Sequence, residues 1–243
     1  MVNSTECQSP LRYVACISYP RSGHHLTMRV LQHYFKTDFK YCQFYNSQQD
    51  NCCQSFPCTD ETVTMTKNHD MDLNRRWSSG LPKSKEVPYL ILIRNFLEAV
   101  VSDYNLFLRN NEDTQDAWVG FSKRKVRYYK AFMQKWVLAD DDLEKHIVSY
   151  ETLTGAPLDE FKRIIEFFRP PTPVDEAKLG RIINNAVLED AKPTGIDVIR
   201  NFGVKNRRKL EEFKYFDEHH FAELEAQLDQ EFERVGYALR FAA

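Results

Sequence analysis

Short apolar runs alternate with amphipathic stretches along this chain. Three of these runs, at 12–17, 87–93 and 146–150, have the length and the residue types of β-strands. A fourth strand is predicted at 62–70, where apolar and polar residues alternate. Helical spacing follows the first run, because Leu26, Val30 and Tyr34 recur on one face of a 3.6-residue period. The pattern therefore predicts strands that are joined by helices.

The second half of the chain carries the usual signals of helix ends. We predict a long helix at 116–137, a helix that Pro157 opens, and a last helix that Asp217 caps. Thr172 together with Pro173 is expected to cap the helix between these two. Helices therefore alternate with strands over most of the chain.

Alternation of helices with short buried strands predicts an α/β fold. We expect a single domain over 1–243, with a central, mainly parallel sheet and helices on both faces. The composition agrees with this class, because 42% of the residues are hydrophobic and 28% are charged, which is usual for globular proteins.

Charge and hydropathy exclude several classes of partner. The formal net charge of -2 gives no support for general nucleic-acid binding. No apolar stretch approaches the length of a membrane span, and the N-terminal residues lack the basic and apolar regions of a signal peptide. We therefore predict a cytoplasmic protein. The sequence leaves its oligomeric state open.

The turn after the first strand has the features of an anion-binding site. Residues 17–28, ISYPRSGHHLTM, pass from an apolar strand through Pro20 and Gly23 into a helix. Amide groups in the first turn of a helix point at an anion, and the helix dipole favours negative charge. Arg21 and Ser22 add a cation and a hydroxyl group. The sequence therefore predicts a P-loop-like strand, loop and helix for a phosphate or sulfate ester.

This turn matches neither of the common nucleotide-binding loops. A Walker A loop requires glycine, four residues and then Gly-Lys-Ser/Thr, and no such run lies near Gly23. The dinucleotide fingerprint requires three spaced glycines, whereas this turn contains only Gly23.

A second candidate anion site follows the apolar run at 87–93. Arg94 stands at the C-terminal end of that run, where ligand crevices form in open α/β sheets. Ser102 comes a little over two helical turns later, so its hydroxyl and the guanidinium can share one anion. The alternative is an ordinary arginine at a strand end that pairs with Glu98.

These segments resemble the motifs of sulfotransferases that use 3′-phosphoadenosine 5′-phosphosulfate (PAPS). In that family a Tyr-Pro-Lys/Arg-Ser-Gly loop holds the 5′-phosphosulfate, an arginine and a serine hold the 3′-phosphate, and Lys-Thr-His supplies the general base. The corresponding runs here begin at Tyr19, Arg94 and Lys67. The resemblance extends from about Tyr13 to Tyr237.

The resemblance implies a set of site residues and a reaction that requires no metal ion. The residues expected to bind PAPS are Arg21, Ser22, Gly23, His24, His25, Leu26, Thr27, Arg94, Ser102, Tyr150, Arg200 and Gly203. Those expected to act in catalysis are His69, Lys67 and Arg21.

Sulfuryl transfer, like phosphoryl transfer, depends on in-line positioning and on charge stabilisation. The acceptor must lose a proton, and an imidazole with a near-neutral pKa suits that task, so the rate should rise with pH through the pKa of His69. Arg21 and Lys67 are placed to meet the charge that develops on the leaving oxygen.

Several residues depart from the family pattern. Arg21 stands where cytosolic members have a catalytic lysine, and a guanidinium cannot give up its proton, so its role must be electrostatic. His24 and His25 replace the usual pair of threonines. Arg200 and Gly203 match the C-terminal 3′-phosphate segment in residue type but not in spacing.

Cysteines crowd a polar insert at 41–59, which contains Cys42, Cys52, Cys53 and Cys58. We expect free thiols in a loop near the acceptor. A zinc site remains an alternative although paired Cys-x-x-Cys knuckles are missing, and a disulfide remains another although it requires an oxidising compartment.

The sequence thus predicts a PAPS-dependent sulfotransferase that acts on a hydroxyl or amine group of a polar acceptor. The insert mixes aromatic and amide side chains, which favours a carbohydrate or a small polar metabolite. Two alternatives are a small kinase-like phosphoryl-transfer enzyme and a non-catalytic module that binds a phosphorylated or sulfated ligand.

Overall fold

The structure is a computed structural model that describes residues 10–43, 53, 55–74, 80–188 and 209–241. Its centre is a five-stranded sheet with the order β2-β3-β1-β4-β5, in which all neighbouring strands are parallel. The strands are β1 (Val14–Ser18), β2 (Tyr41–Gln43), β3 (Met65–Asn68), β4 (Tyr89–Ile93) and β5 (Lys145–Ser149). The predicted α/β fold with a parallel sheet is therefore confirmed.

Helices connect the strands, and two helices are the last elements of the described chain. They are α1 (His24–Phe35), α2 (Phe96–Phe107), α3 (Gln115–Phe132), α4 (Tyr150–Gly155), α5 (Pro157–Phe168), α6 (Glu176–Leu188), α7 (Glu218–Ala226) and α8 (Asp229–Val235). A π-helical turn at Met133–Val137 continues α3. In the described part of the chain, no helix is long and apolar enough to cross a membrane.

Helices cover both faces of the sheet, because side chains alternate across each strand. Ile17 and Ile91 point into one core with residues of α2, α3 and α7. Cys16 and Leu90 point into the other core with residues of α1, α5 and α6. Burial on both faces explains why β1 and β4 read as near-continuous apolar runs.

The sheet has a topological switch point between two adjacent strands. The chain leaves β1 towards β2 on one side of the sheet, and it leaves β4 towards β5 on the other side. The connections therefore diverge at the carboxyl ends of β1 and β4, and open α/β sheets bind ligands in the crevice that this divergence leaves.

Three details differ from the sequence-based prediction. Asp175, not Thr172, caps α6, because its Oδ1 accepts the backbone N–H of Lys178 at 2.9 Å. The predicted last helix is divided into α7 and α8 near Leu228. Strand β2 lies inside the predicted irregular insert, and its three residues are too few for a periodic pattern.

The extent of the domain stays a prediction for part of the chain. The described residues contribute to one sheet and its covering helices. Residues 1–9, 44–52, 54, 75–79, 189–208 and 242–243 lie outside the description.

Candidate active site

The loop between β1 and α1 has a tightly curled backbone. Arg21 and Gly23 both have left-handed conformations, with φ of 69° and 87°. A Cβ atom at Gly23 would lie 2.9 Å from Cδ2 of Tyr150 and 3.0 Å from Cδ2 of Leu153. Glycine is therefore required here both by the backbone conformation and by the close approach of α4.

The N-terminus of α1 is open to an anion. No side chain caps it and its first turn contains no acidic residue. The hydroxyl of Ser22 is buried without a hydrogen-bond partner among the described residues. The amide groups at the start of a helix and the buried hydroxyl of Ser22 are hydrogen-bond donors that together suit an anionic ligand.

Arg94 connects the β1 loop to the helix after β4. Its Nη1 donates to the carbonyl oxygen of Arg21 at 3.2 Å, and its guanidinium lies 4.2 Å from the ring centroid of Tyr150. Its Nη2 pairs with Oε2 of Glu98 at 3.2 Å, which is the pairing that the alternative interpretation expected. The Nε atom is buried and has no partner among the described residues, so one donor remains for a ligand.

Ser102 lies beside Arg21 rather than in direct contact with Arg94. The Nε atom of Arg21 donates to Oγ of Ser102 at 2.9 Å. Arg94 and Ser102 nevertheless line the same cavity. The two anion motifs of the sequence are therefore joined into one site.

Lys67 lies at the end of β3 and is only 9% exposed. In the described part of the chain it has no carboxylate within ion-pair distance. Burial lowers its pKa, the neighbouring Cys16 opposes this change, and the charge of Arg21 adds to it. A buried ammonium without a counter-charge is costly, and an anionic ligand would remove that cost.

His69 follows β3 and is held in one orientation by the end of β1. Its Nδ1 lies 2.6 Å from the carbonyl oxygen of Ser18, which can only accept a hydrogen bond. Nδ1 therefore carries the proton of the neutral ring, and Nε2 keeps its lone pair. The hydroxyl of Tyr128 donates to the carbonyl oxygen of His69 and fixes its backbone.

The near-neutral pKa expected for His69 is wrong for this environment. Burial of the ring is the largest cause that lowers its pKa to about 3, and the charge of Lys67 is the next. The hydrogen bond to Ser18 favours the charged form but does not offset these effects. The ring is consequently neutral at physiological pH.

One cavity of about 340 Å³ collects these groups at the switch point. The residues that line it are Pro20, Arg21, Gly23, His24, His25, Leu26, Lys67, His69, Met71, Arg94, Ser102, Asp103, Leu106 and Tyr150. Most of its polar groups are cationic or can donate hydrogen bonds, and Asp103 is the one carboxylate in the set.

A model of the sulfotransferase domain matches residues 12–231. The chain belongs to the sulfotransferase family. Its fold is similar to that of mouse sulfotransferase SULT7A1, solved in complex with PAP, with a TM-score of 0.64 and 16% identity over 93% of this chain and 85% of the mouse chain. A search of curated proteins gives no match. The family that the motifs predicted is thus confirmed.

Two of the predicted PAPS-binding residues of this sulfotransferase, His24 and Thr27, make side-chain contacts inside the protein. His24 is buried, and its ring nitrogens contact Sγ of Cys16 at 3.4 Å and the hydroxyl of Tyr41 at 2.9 Å. The hydroxyl of Thr27 donates to the carbonyl oxygen of Gly23 at 3.2 Å, as threonine often does inside a helix. Arg200 and Gly203 lie outside the described residues.

Sequence analysis missed several residues of the sulfotransferase site. Met71, Asp103 and Leu106 line the cavity, and Ser18 and Tyr128 orient His69. The only sequence signal for Asp103 is that it directly follows the predicted site residue Ser102. The contact of Tyr128 was not, because it joins residues that are far apart in the chain.

The lowered pKa of His69 predicts an unusual pH profile for the sulfotransferase. The ring of His69 is deprotonated above about pH 3, so if His69 takes the acceptor proton, kcat/KM should show no acidic limb from it between pH 5 and pH 8. An ordinary histidine with a pKa near 6.5 would lower the rate about tenfold at pH 5.5. Initial rates in buffers of constant ionic strength provide the test. An acidic limb that is present in the wild type and disappears in His69→Ala would contradict the lowered pKa of His69.

Proposed function

We propose that this sulfotransferase moves a sulfuryl group from PAPS to a hydroxyl or amine group of a polar acceptor, by in-line transfer with His69 as general base. The observation that carries the proposal is the convergence of three features on one cavity: the open N-terminus of α1, the cations Lys67 and Arg94, and the lone pair of His69 Nε2. Such a convergence provides binding, charge stabilisation and proton removal together.

The chain offers unsatisfied groups that fit an anionic donor. Ser22 Oγ and Arg94 Nε are buried without partners, and Lys67 has no counter-charge in the described part of the chain. PAPS carries a 5′-phosphosulfate and a 3′-phosphate, and it supplies the activated sulfuryl group. The PAP complex of the mouse sulfotransferase supports the same class of donor here.

Different residues serve the two ends of the donor in this proposal. Arg21, Ser22 and Gly23, with the imidazole and backbone of His25 and the backbone of Leu26, bind the 5′ end at the helix N-terminus. Arg94 and Ser102 bind the 3′-phosphate, and Tyr150 lies beside Arg94 where a base can stack. His24 and Thr27 support the loop from within, since their side chains are engaged in contacts inside the protein.

His69 is the base that the geometry favours. Asp70 is fully buried and accepts hydrogen bonds from Lys135, Trp136 and the backbone of Leu81, so it cannot reach an acceptor. The ring of His24 contacts Cys16 and Tyr41. His69 presents Nε2 while Nδ1 donates to Ser18, which is the orientation that a general base requires.

The acceptor side of the cavity supports a hydroxylated substrate. Asp103 lines the cavity and pairs through Oδ2 with Lys125 at 2.6 Å. A carboxylate oxygen only accepts, so it selects a ligand that donates from a hydroxyl or an amine. Met71 and Leu106 add apolar walls. Asp103 therefore binds a second polar group of a carbohydrate or small polar metabolite.

A turnover screen tests this function. Labelled PAPS is incubated with sugars, small hydroxylated metabolites and apolar phenols, and transfer to the polar acceptors is expected. Asp103→Asn should raise the KM of the polar acceptor about tenfold, because it removes the charge from one hydrogen bond, with a smaller effect on the KM of PAPS.

Asp116→Asn is the matched control, because Asp116 lies in the first turn of α3 on the exposed surface. A variant Asp103→Asn that raises only the KM of PAPS would place Asp103 in the donor site. Transfer only to apolar phenols would contradict the proposal that the acceptor is polar. Absence of transfer to every acceptor would contradict the proposed sulfuryl transfer.

The cytoplasmic location remains part of the proposal. It rests on the use of a soluble nucleotide donor. Fractionation of cells that express the full chain tests it, and recovery in a membrane fraction would contradict it.

A further inference from the structure

Two cysteines outside the active site lie next to each other. The Sγ atoms of Cys53 and Cys58 are 3.5 Å apart, and both residues are partly exposed. Both thiols are free. A disulfide has an S–S distance near 2.05 Å, so a small approach of the two side chains is sufficient to form one.

Local contacts keep the two thiols together. The backbone N–H of Cys58 donates to the hydroxyl of Tyr13 at 3.0 Å, and Tyr13 packs against a core of the domain. The hydroxyl of Ser55 donates to the carbonyl oxygen of Cys53 at 3.4 Å. The pair is therefore attached to the folded domain and held in proximity.

The environments of the two thiols differ in the way that thiol chemistry requires. Hydrogen bonds with the backbone of Thr59 and Ser55 lower the pKa of Cys53 to about 7, so about half of it is thiolate at neutral pH. Burial raises the pKa of Cys58. One sulfur is therefore the nucleophile, and the other stays protonated until it is needed.

The other described thiols are poorly placed for this chemistry. Cys16 is fully buried in the sheet, and burial raises its pKa to about 12. Cys42 forms a hydrogen bond with Cys58, but it is buried, whereas Cys53 is partly exposed to an oxidant from solvent. Across the residues that the structure describes, no group of three histidine, cysteine or acidic side chains is arranged to hold a metal ion.

We propose that Cys53 and Cys58 form a peroxide-sensitive dithiol that closes reversibly to a disulfide. The Cys53 thiolate attacks one oxygen of hydrogen peroxide, the O–O bond breaks, and hydroxide leaves, which gives a sulfenic acid at Cys53. The Cys58 sulfur then attacks the Cys53 sulfur and water leaves. In total, two thiols lose two electrons and two protons, and peroxide is reduced to two waters.

Peptide mapping of the full chain tests the proposal. The reduced protein is treated with hydrogen peroxide at pH 7, alkylated and digested, and a Cys53–Cys58 cross-link that dithiothreitol removes is expected. Without peroxide, iodoacetamide should modify Cys53 about fivefold faster than Cys58, because the larger thiolate fraction outweighs the weaker nucleophilicity. C53S and C58S should each abolish the cross-link.

Cys52→Ser is the matched control, because Cys52 is adjacent in sequence and the control must keep the cross-link. A cross-link that includes Cys42 or Cys52, or a sulfinic acid at Cys53 without a cross-link, would overturn the assignment. Persistence of both thiols after peroxide would overturn it as well. Circular dichroism of C53S and C58S confirms that loss of the bond does not reflect loss of the fold.

Discussion

The variant His69→Ala is expected to lose about 100- to 10,000-fold in turnover while it keeps the affinity for adenosine 3′,5′-bisphosphate. The loss follows from removal of Nε2, the lone pair that the contact with Ser18 leaves available in the cavity. Donor affinity should survive because the phosphate-binding groups belong to the loop after β1 and to Arg94. Single-turnover rates and a separate titration with the bisphosphate measure the two quantities independently.

His25→Ala is the matched control, because His25 lies in the same cavity but on the donor side. It should change the affinity for the donor more than the turnover. A purely structural role of His69 predicts instead that activity follows the folded fraction. If His69→Ala folds normally and keeps near-full turnover, the general base lies elsewhere and His25 becomes the leading candidate.

The second large effect concerns stability, and Asp70→Ala is expected to lower the free energy of unfolding by about 3 to 5 kcal/mol. Its carboxylate is completely buried and accepts three hydrogen bonds: Lys135 Nζ at 2.8 Å, Trp136 Nε1 at 2.8 Å and the backbone N–H of Leu81 at 2.7 Å. Alanine leaves these donors, one of them an ammonium, without their acceptor inside the protein. Urea unfolding monitored by circular dichroism measures the change.

Asp142→Ala provides the comparison for Asp70→Ala. Asp142 pairs with Lys85 at 2.7 Å, but both side chains are mostly exposed, at 86% and 71%. Such a pair contributes little because water and salt screen it, so the midpoint of unfolding should not move measurably. Equal decreases in the free energy of unfolding of the two variants would show that the buried hydrogen bonds of Asp70 contribute no more to stability than an exposed ion pair.

The position of Asp70 also links stability to the active site. It follows His69 directly and has a left-handed backbone conformation, with φ of 49°. The hydrogen bonds from Lys135, Trp136 and Leu81 thus fix the turn that follows His69. The turnover of variants of this turn should be measured without urea and at a temperature where they remain folded. The turnover then reports the geometry of the turn rather than unfolding.

Local patterns were sufficient to predict most of the fold. The strands and the helix begun by Pro157 follow from periodicity and from cap residues, and these signals act within a few residues. Strand β2 was not predicted, because a three-residue strand is defined by its pairing with β3 rather than by a pattern in its own sequence. The cap of α6 was misplaced because Thr172 and Asp175 are both suitable cap residues by type.

The candidate site could be predicted from sequence only where a motif is contiguous. The loop of Arg21, Ser22 and Gly23 lies beside Arg94 as expected. The pKa of His69 could not be foreseen, because burial and the charge of Lys67 depend on the packing of β1 against β3. The role proposed for Asp103 likewise depends on a cavity that only the assembled helices and strands create.

Binding of adenosine 3′,5′-bisphosphate is the most direct test of the account. At about one hundred times its dissociation constant the ligand should stabilise the protein by roughly 2.7 kcal/mol, which is visible as a thermal shift. AMP and ATP at the same concentration should shift the protein far less, and Arg94→Ala should reduce the shift with the bisphosphate to the level of AMP. Stabilisation by ATP equal to that by the bisphosphate would contradict the assignment of the 3′-phosphate site to Arg94 and Ser102.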